Sequence, residues 1–183
     1  KGFYYCFGCH AKGDAISFVK ETENVNFIEA VEILAKEAGL QIPEQDPQAK
    51  EKSNYRDELF KIMELSVKFY QRSLSSAKGL RAREYINSRK LTSEITGDFE
   101  LGFAPNSRTE LFDYLSDKNI PEQQIIDTGM CLRSDDGGAA YDRFRDRIMY
   151  PIRDSRGRCI AFGGRAMSQN ARAKYLNSPE TKL

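Results

Sequence analysis

The sequence from 147 to 162 contains two alternating segments, Arg147-Ile-Met-Tyr-Pro-Ile-Arg153 and Arg158-Cys-Ile-Ala-Phe162, joined by Asp154-Ser-Arg-Gly157. Polar and apolar residues alternate in both segments, as they do in strands with one buried face. Asp, Ser and Gly in the joining segment are typical of a tight turn. We therefore predict a β-hairpin with a four-residue loop.

Upstream of this hairpin the apolar residues recur with the period of helices rather than strands. A long helix is predicted from about Ser53 to Ser76, with an inner face of Leu59, Ile62, Met63, Ser66, Phe69 and Tyr70. Shorter helices are predicted at 80–88, 92–96, 109–117 and 121–127, and a strand at 99–103. The predicted fold class is α+β, in which helices come first and a mainly antiparallel sheet follows.

The N-terminal residues have a different character. Residues 1–13 are rich in aromatic residues and glycine, which indicates a short hairpin, and Asp14 is placed to cap a helix from Ala15 to Lys20. Asn26 and Glu29 form a capping-box pattern for a second helix that Gly39 ends. Residues 43–53 have linker composition. We predict a small N-terminal module over 1–42, a linker over 43–53 and a larger domain over 54–183.

Charge is distributed unevenly along the chain. The formal net charge is +1, yet residues 141–175 contain nine Lys or Arg and three Asp. Such a block indicates either a polyanion-binding surface or a solvated charged surface. Strand alternation would place Arg143, Arg145 and Arg147 on one face, spaced along a phosphate backbone. The sequence has no apolar run long enough to span a bilayer, so a cytosolic globular protein is expected.

Two of the four cysteines form a CxxC pair. Cys6 and Cys9, with Gly8 between them, have the spacing of a zinc knuckle that supplies two of four ligands. A redox role is the alternative, but it requires a helix at the second cysteine, and the glycines from Gly8 to Gly13 do not favour one. His10 is a weak further candidate. Cys131 and Cys159 lie among strand-like residues and are expected to be buried.

The carboxylates do not form a convincing metal-binding set. Asp135 and Asp136 precede two glycines and are expected in a hairpin loop. Asp142, Asp146 and Asp154 alternate with arginines, which indicates charge pairing. Nucleotidyl transfer, which requires clustered carboxylates and divalent metal ions, is therefore not expected from these residues alone.

Several motifs, in order, resemble bacterial DnaG-type DNA primases over essentially the whole chain. They are Phe3-Tyr-Tyr-Cys-Phe-Gly-Cys9, Tyr85-Ile-Asn-Ser-Arg-Lys-Leu91, Leu101-Gly-Phe-Ala-Pro105, Arg143 to Asp154, Ile160-Ala-Phe-Gly-Gly-Arg165 and Lys174-Tyr-Leu-Asn-Ser-Pro-Glu-Thr181. Lys90 stands where the family usually has glycine. The family's Cys-Pro-x-His segment and its catalytic Toprim subdomain are expected before Lys1 and after Leu183, so a fragment is expected. The resemblance implies that residues 1–42 are the C-terminal part of a zinc-ribbon domain, a partial zinc-ribbon module, and that residues 54–183 are the N-terminal subdomain of the primase RNA polymerase core.

The resemblance implies a function for the whole protein and roles for single residues. It implies synthesis of RNA primers on single-stranded DNA, with nucleoside triphosphates as substrates and with Mg²⁺ or Mn²⁺ bound outside this chain. The replicative helicase is an expected partner through a missing domain, with no membrane association and with localisation in the cytoplasm at the replication fork. The alternative is a non-catalytic module that binds single-stranded DNA and carries a zinc knuckle.

The resemblance further implies that Arg89, Arg165 and Lys174 line the active-site cleft. The residues expected to contact nucleic acid are Arg143, Arg145, Arg147, Arg153, Arg158, Tyr175 and Asn177. Glu180 is expected to order the loop with Asn177, and Cys6 and Cys9 are the expected zinc ligands.

Overall fold

The computed structural model describes residues 2–40, 47–134, 137–181 and 183. The chain divides into two compact units, Lys1–Ala49 and Lys50–Leu183. In the described part of the chain, no helix combines the length and the apolarity that crossing a bilayer would require. The expected loop at Asp135 and Asp136 lies outside the described residues.

The N-terminal unit contains the predicted hairpin and two helices. Strands β1 (Phe3–Tyr5) and β2 (Lys12–Asp14) pair antiparallel, and helices α1 (Ala15–Glu23) and α2 (Phe27–Glu37) follow. The Asp14 carboxylate accepts a hydrogen bond from the Ser17 backbone N–H at 2.8 Å. Asn26 and Glu29 form the predicted capping box, and Gly39 has a positive φ of 65° after the end of α2. The helix starts and ends read from the sequence are therefore confirmed, although α1 runs three residues further than predicted.

Helix α3 (Pro47–Ser75) is the longest element of the chain. It begins six residues earlier than predicted, so residues 47–53, which belong to the predicted linker, are helical. The rest of the predicted linker, 43–46, lies outside the described residues. All six residues of the predicted inner face are buried, which confirms the helical period in this segment.

The remaining elements of the C-terminal unit follow the predicted order. The helices are α4 (Leu80–Ser88), α5 (Ser93–Asp98), α6 (Glu110–Ser116) and α7 (Glu122–Asp127), and a 3₁₀ turn at Ala77–Gly79 precedes α4. The strands are β3 (Gly102–Ala104), β4 (Cys131–Leu132), β5 (Tyr141–Asp142), β6 (Arg147–Arg153), β7 (Cys159–Ala166) and β8 (Tyr175–Asn177). The predicted strand at 99–103 was wrong at its start. Phe99 caps the C-terminus of α5, Glu100 has a positive φ of 49°, and the strand begins only at Gly102.

A four-stranded antiparallel sheet in the order β3-β6-β7-β8 organises this unit. One of its faces, which includes Met149 and Phe162, packs against α3, α6 and α7. The other face, which includes Ile148, packs in part against Ala82 and Ile86 of α4. The prediction of an α+β fold with an antiparallel sheet is confirmed, as is the hairpin of β6 and β7.

Candidate nucleic-acid interface

A cleft of about 510 Å³ lies over β6, β7 and β8, beside α4. Its floor is one face of the sheet, because Gly163 pairs with Tyr150 on one side and with Asn177 on the other. In the next rung Arg165 pairs with Tyr175. Gly163 has no side chain, so the floor stays open between the larger residues that surround it.

The wall of the cleft comes from α4 and the residues after it, which contribute Tyr85, Arg89 and Leu91. Arg89 caps the C-terminus of α4 and is exposed. Tyr85 lies one helical turn earlier, on the same face of α4. The sequence analysis did not predict Tyr85 as a cleft residue. Its position four residues before Arg89, on a predicted helix, could have indicated that the two side chains lie on the same face.

Arg165 is held in place by an aromatic ring. Its Cζ atom lies 3.8 Å from the centroid of the Tyr85 ring, which is a close cation–π contact. Its Nη1 atom also donates a hydrogen bond to the Ala166 carbonyl at 3.0 Å. Burial raises the pKa of the neighbouring Tyr150 above its ordinary value. The cleft therefore offers an oriented guanidinium beside aromatic groups.

Tyr175 provides an exposed aromatic ring at the edge of the cleft. The residue is 68% exposed, and the Nζ atom of Lys174 lies 5.7 Å from the centroid of its ring. Exposed aromatic rings next to cations are the arrangement by which proteins stack unpaired bases and hold the adjoining phosphates. The described residues that line the cleft include no carboxylate.

The loop after β8 is fixed to the rest of the sheet. The Ser178 backbone N–H donates to the Phe162 carbonyl at 2.9 Å, and the Phe162 N–H donates to the Ser178 hydroxyl at 2.7 Å. Gly129 has a positive φ of 71°, and a Cβ atom there would lie 2.7 Å from the ring of Pro179. Loop residues 177–181 are therefore seated by close packing on Gly129.

Five of the predicted residues lie at this cleft. Arg89, Arg165, Tyr175 and Asn177 line it, and Lys174 lies beside Tyr175. Arg143 lies next to it, because its Nε and Nη2 atoms donate to the Asn177 carbonyl at 3.2 and 3.1 Å.

The predicted row of Arg143, Arg145 and Arg147 on one strand face was wrong. Strand β5 ends at Asp142 and β6 begins at Arg147, and Asp146 between them has a positive φ of 48°, so the alternation is broken. Arg145 is exposed, with its Cζ 5.8 Å from the centroid of the Tyr141 ring. Arg147 is only 9% exposed and lies inside the fold.

Arg153 and Arg158, two of the predicted nucleic-acid contacts, form ion pairs within the fold. Arg153 bonds to the carboxylates of Glu64 and Glu100, both at 2.5 Å, and these bonds raise the pKa of Arg153 and lower that of Glu64. Arg158 bonds to Asp154 at 2.7 Å, as the alternation of acids and arginines indicated. Neither residue lines the cleft.

Asp142 departs from the expected pairing with arginine. Its carboxylate accepts hydrogen bonds from the backbone N–H groups of Leu111 and Phe112 at the start of α6, at 2.8 and 2.9 Å. Burial nevertheless raises its pKa to about 6. The carboxylate is thus a structural cap of α6 and not a metal ligand.

The N-terminal unit holds the candidate zinc ligands. Cys6 and Cys9 are both exposed, and the backbone N–H groups of Cys9 and Gly8 lower the pKa of the Cys6 thiol. A thiolate at Cys6 fits a zinc ligand. His10 is instead bonded through Nδ1 to the Tyr5 hydroxyl at 2.7 Å. Within the described residues no group of three or more side chains that could hold a metal ion occurs.

The other two cysteines are buried, as predicted. Cys131 and Cys159 have no exposed surface, and burial raises the pKa of both thiols, that of Cys159 to about 12. They pack as small apolar residues.

Comparisons with known proteins agree with both units. The family model described as "DNA primase catalytic core, N-terminal domain" matches residues 69–183, and the model described as "CHC2 zinc finger" matches residues 1–50. The chain is 42% identical to a DNA primase of Pseudomonas putida and 41% identical to a DNA primase of Escherichia coli, with all of this chain aligned. It spans only 28% and 32% of the length of those two relatives.

Solved structures show the same likeness. A DnaG primase catalytic domain bound to single-stranded DNA superposes with a TM-score of 0.65 at 43% identity, over 70% of this chain and 41% of that one. The Aquifex aeolicus primase, solved with its zinc-binding and RNA polymerase domains, gives a TM-score of 0.63 at 32% identity, over 98% of this chain and 42% of that one.

Proposed function

The chain belongs to the DnaG family of bacterial DNA primases, and from that premise we propose that it supplies the template-binding part of a primer-synthesising RNA polymerase. The observation that carries the proposal is the cleft between α4 and the sheet, where Arg89, Arg165 and Tyr175 meet beside Lys174. Uncompensated cations and an exposed ring occur together there, as the binding of a single strand requires.

Each group has a separate task in this proposal. The ring of Tyr175 stacks on an unpaired template base, which a duplex could not present. The Arg165 guanidinium, oriented by Tyr85, binds a phosphate oxygen pair, and Lys174 binds a neighbouring phosphate as a point charge. Arg89 reaches the same strand or the nascent RNA primer from the α4 wall. The strand is thereby fixed in position before nucleotide addition.

The two metals of the proposed polymerase have different sources. The match to a zinc-finger family supports zinc binding by the N-terminal unit, where Cys6 and Cys9 would be ligands. Mg²⁺ or Mn²⁺ would position the nucleoside triphosphate and stabilise its developing charge. We place the ligands of that ion outside this chain. Primer synthesis, use of nucleoside triphosphates, contact with the replicative helicase and location at replication forks in the cytoplasm are proposed for the whole protein.

The first test is the affinity of this chain for a fluorescent single-stranded oligonucleotide, measured by anisotropy over a salt series. Arg165→Ala removes a charged hydrogen bond and should weaken binding by about 1.5–3 kcal/mol. Loss of one phosphate contact should also reduce the slope of log K against log salt by about 0.7. Arg56→Ala is the matched control, because Arg56 is an exposed cation on α3, which packs on the opposite face of the sheet.

Equal affinities of Arg165→Ala and Arg56→Ala would contradict the assignment of the cleft. The alternative of a binding module without a part in synthesis requires a second assay. In the full-length protein, Arg165→Ala should abolish primer synthesis even with excess template. If the cleft only binds DNA and has no part in synthesis, excess template should compensate for the weaker binding of Arg165→Ala and restore primer synthesis.

A further inference from the structure

Arg147 lies inside the fold and not on the surface where a phosphate contact was predicted. Its Nη1 atom donates to the carbonyls of Gly164 and Lys174 at 3.2 and 3.5 Å, and its Nη2 atom donates to the Ala173 carbonyl at 2.9 Å. Burial lowers the pKa of Arg147 from that of a free arginine. In the described part of the chain no carboxylate lies within 4 Å of its guanidinium, so backbone carbonyls compensate the charge.

The three carbonyls belong to two separate segments. Gly164 lies in β7, whereas Ala173 and Lys174 lead into β8. Strand β8 is short, and only three of its residues pair with β7. The Lys174 carbonyl also accepts the Ala166 N–H at 2.8 Å, just before the paired residues. The Arg147 guanidinium therefore adds hydrogen bonds between β7 and the residues that precede β8, beyond the last backbone pair of the two strands. These added bonds lie next to Lys174 and Tyr175, the residues at the cleft.

The surroundings of Arg147 are shaped to its side chain. A Cβ atom on Gly164 would lie 3.1 Å from Cδ of Arg147 and 2.8 Å from the ring of Phe144. Glycine at this position leaves the space in which the arginine stem lies. An arginine presents five N–H donors in a planar fork, whereas a lysine has a single nitrogen that cannot reach all three carbonyls with similar geometry.

We propose that Arg147 is a positioning residue for template binding, which fixes the backbone at residues 173–174 so that Lys174 and Tyr175 face the cleft. This inference rests on the proposed function of the cleft. Lys174 and Tyr175 are both exposed, so tertiary packing does not hold their side chains in place. Fixing their backbone in advance lowers the entropy lost when the strand binds.

The test is Arg147→Lys, which keeps the net charge but removes most of the N–H donors that bond to the three carbonyls. Anisotropy with a fluorescent single-stranded oligonucleotide should show binding at least tenfold weaker than wild type. The slope of log K against log salt should fall by about 0.7, because the phosphate contact of a displaced Lys174 is lost. A purely structural defect would reduce the active fraction and leave this slope unchanged. Arg147→Gln repeats the test if the lysine variant does not fold.

Two controls separate the explanations. Leu59→Ala removes a buried side chain of α3 and lowers the stability of the fold. At a temperature where this variant is folded, it should keep the wild-type affinity for the oligonucleotide and the wild-type slope of log K against log salt. In a Lys174→Ala/Tyr175→Ala background, Arg147→Lys should weaken binding by less than about threefold, because both residues that it positions are already absent.

The outcomes are distinct for the two proposals. Wild-type affinity of Arg147→Lys would overturn the positioning role while the cleft assignment stands. An equal loss in the wild-type and the Lys174→Ala/Tyr175→Ala backgrounds would do the same. Wild-type affinity of both Lys174→Ala and Tyr175→Ala would overturn the cleft assignment itself, and the positioning role with it.

Discussion

The two units of the chain carry similar apolar patterns but differ in how much of that pattern they bury. In the C-terminal unit the face of α3 predicted from Leu59 to Tyr70 is entirely buried. In the N-terminal unit, Phe27 and Ile28 of the equally regular α2 are 58% and 53% exposed, and Phe7 is 90% exposed. Among its described residues only Ala30 is a buried apolar residue.

The difference shows what an apolar period can and cannot guarantee. A helix buries its apolar face only if enough other surface is available to cover it, and a module of about 50 residues provides little. Small domains of this kind commonly depend on a structural metal ion. We therefore expect the N-terminal unit to be stabilised by zinc and the C-terminal unit by its core, and four predictions test that contrast.

The largest effect is expected from the zinc ligands. Structural zinc contributes about 10–16 kcal/mol to the folding of small domains. Cys9→Ser in the full-length protein should therefore release zinc and unfold the N-terminal unit, while the C-terminal unit keeps its protection. Hydrogen exchange resolved by peptide, together with zinc content, measures both. Unchanged hydrogen exchange in residues 2–40 of Cys9→Ser would contradict the expectation that zinc stabilises the N-terminal unit.

The next effect is a matched pair of core substitutions. Leu59→Ala removes a fully buried side chain and should lower the free energy of unfolding of the C-terminal unit by about 2–5 kcal/mol. Ile28→Ala, at an exposed position on α2, should cost less than about 1 kcal/mol in the N-terminal unit. Chemical denaturation followed by peptide-resolved exchange provides the values. Similar costs at the two positions would mean that α2 is covered in the protein.

The third prediction concerns pH, because Asp142 and Asp14 should contribute to stability with opposite pH dependence. The pKa of Asp142 is about 6 in the folded chain, above its ordinary value, so the folded state holds a proton that the unfolded state has lost. The contribution of Asp142 to the free energy of unfolding should therefore fall by about 2–3 kcal/mol as pH rises from 4 to 7, and the difference between wild type and Asp142→Asn measures it.

The N-terminal unit has the reverse case in Asp14. The Ser17 N–H lowers the pKa of this exposed carboxyl, so its stabilising effect is present above the ordinary pKa of aspartate and is lost as pH falls. Thermal melts of wild type, Asp142→Asn and Asp14→Asn between pH 3 and 7 should give wild-type-minus-variant differences that change with pH in opposite directions. Differences that change in the same direction would contradict this assignment.

The smallest effect should be the same in both units. Gly39 and Gly157 have φ values of 65° and 78°, and neither has an atom within 4 Å of a built Cβ position. Alanine at either position should cost about 1 kcal/mol, because the left-handed conformation is strained for any L-residue regardless of packing. If denaturant melts give different losses of unfolding free energy for the two alanine variants, the difference between the units also includes local backbone conformation.

Local features of the chain were predictable because they depend on neighbours in sequence. The caps at Asp14 and Asn26, the buried face of α3 and the hairpin of β6 and β7 all follow from residues within a few positions of one another. The early start of α3 at Pro47 was missed because a polar, charged segment can be helical when it continues a buried helix.

The types of the elements, the family and the set of candidate cations could be read from the sequence. Which of these cations face the cleft depends on the tertiary structure. Arg147 and Arg165 both lie in alternating strands, but pairing across the sheet places Arg165 on the cleft face with Tyr150 and Arg147 on the core face with Met149. Arg153 is neutralised by Glu64, 89 positions away in sequence. Periodicity is a property of neighbouring residues, whereas burial and charge compensation depend on residues that only folding brings together.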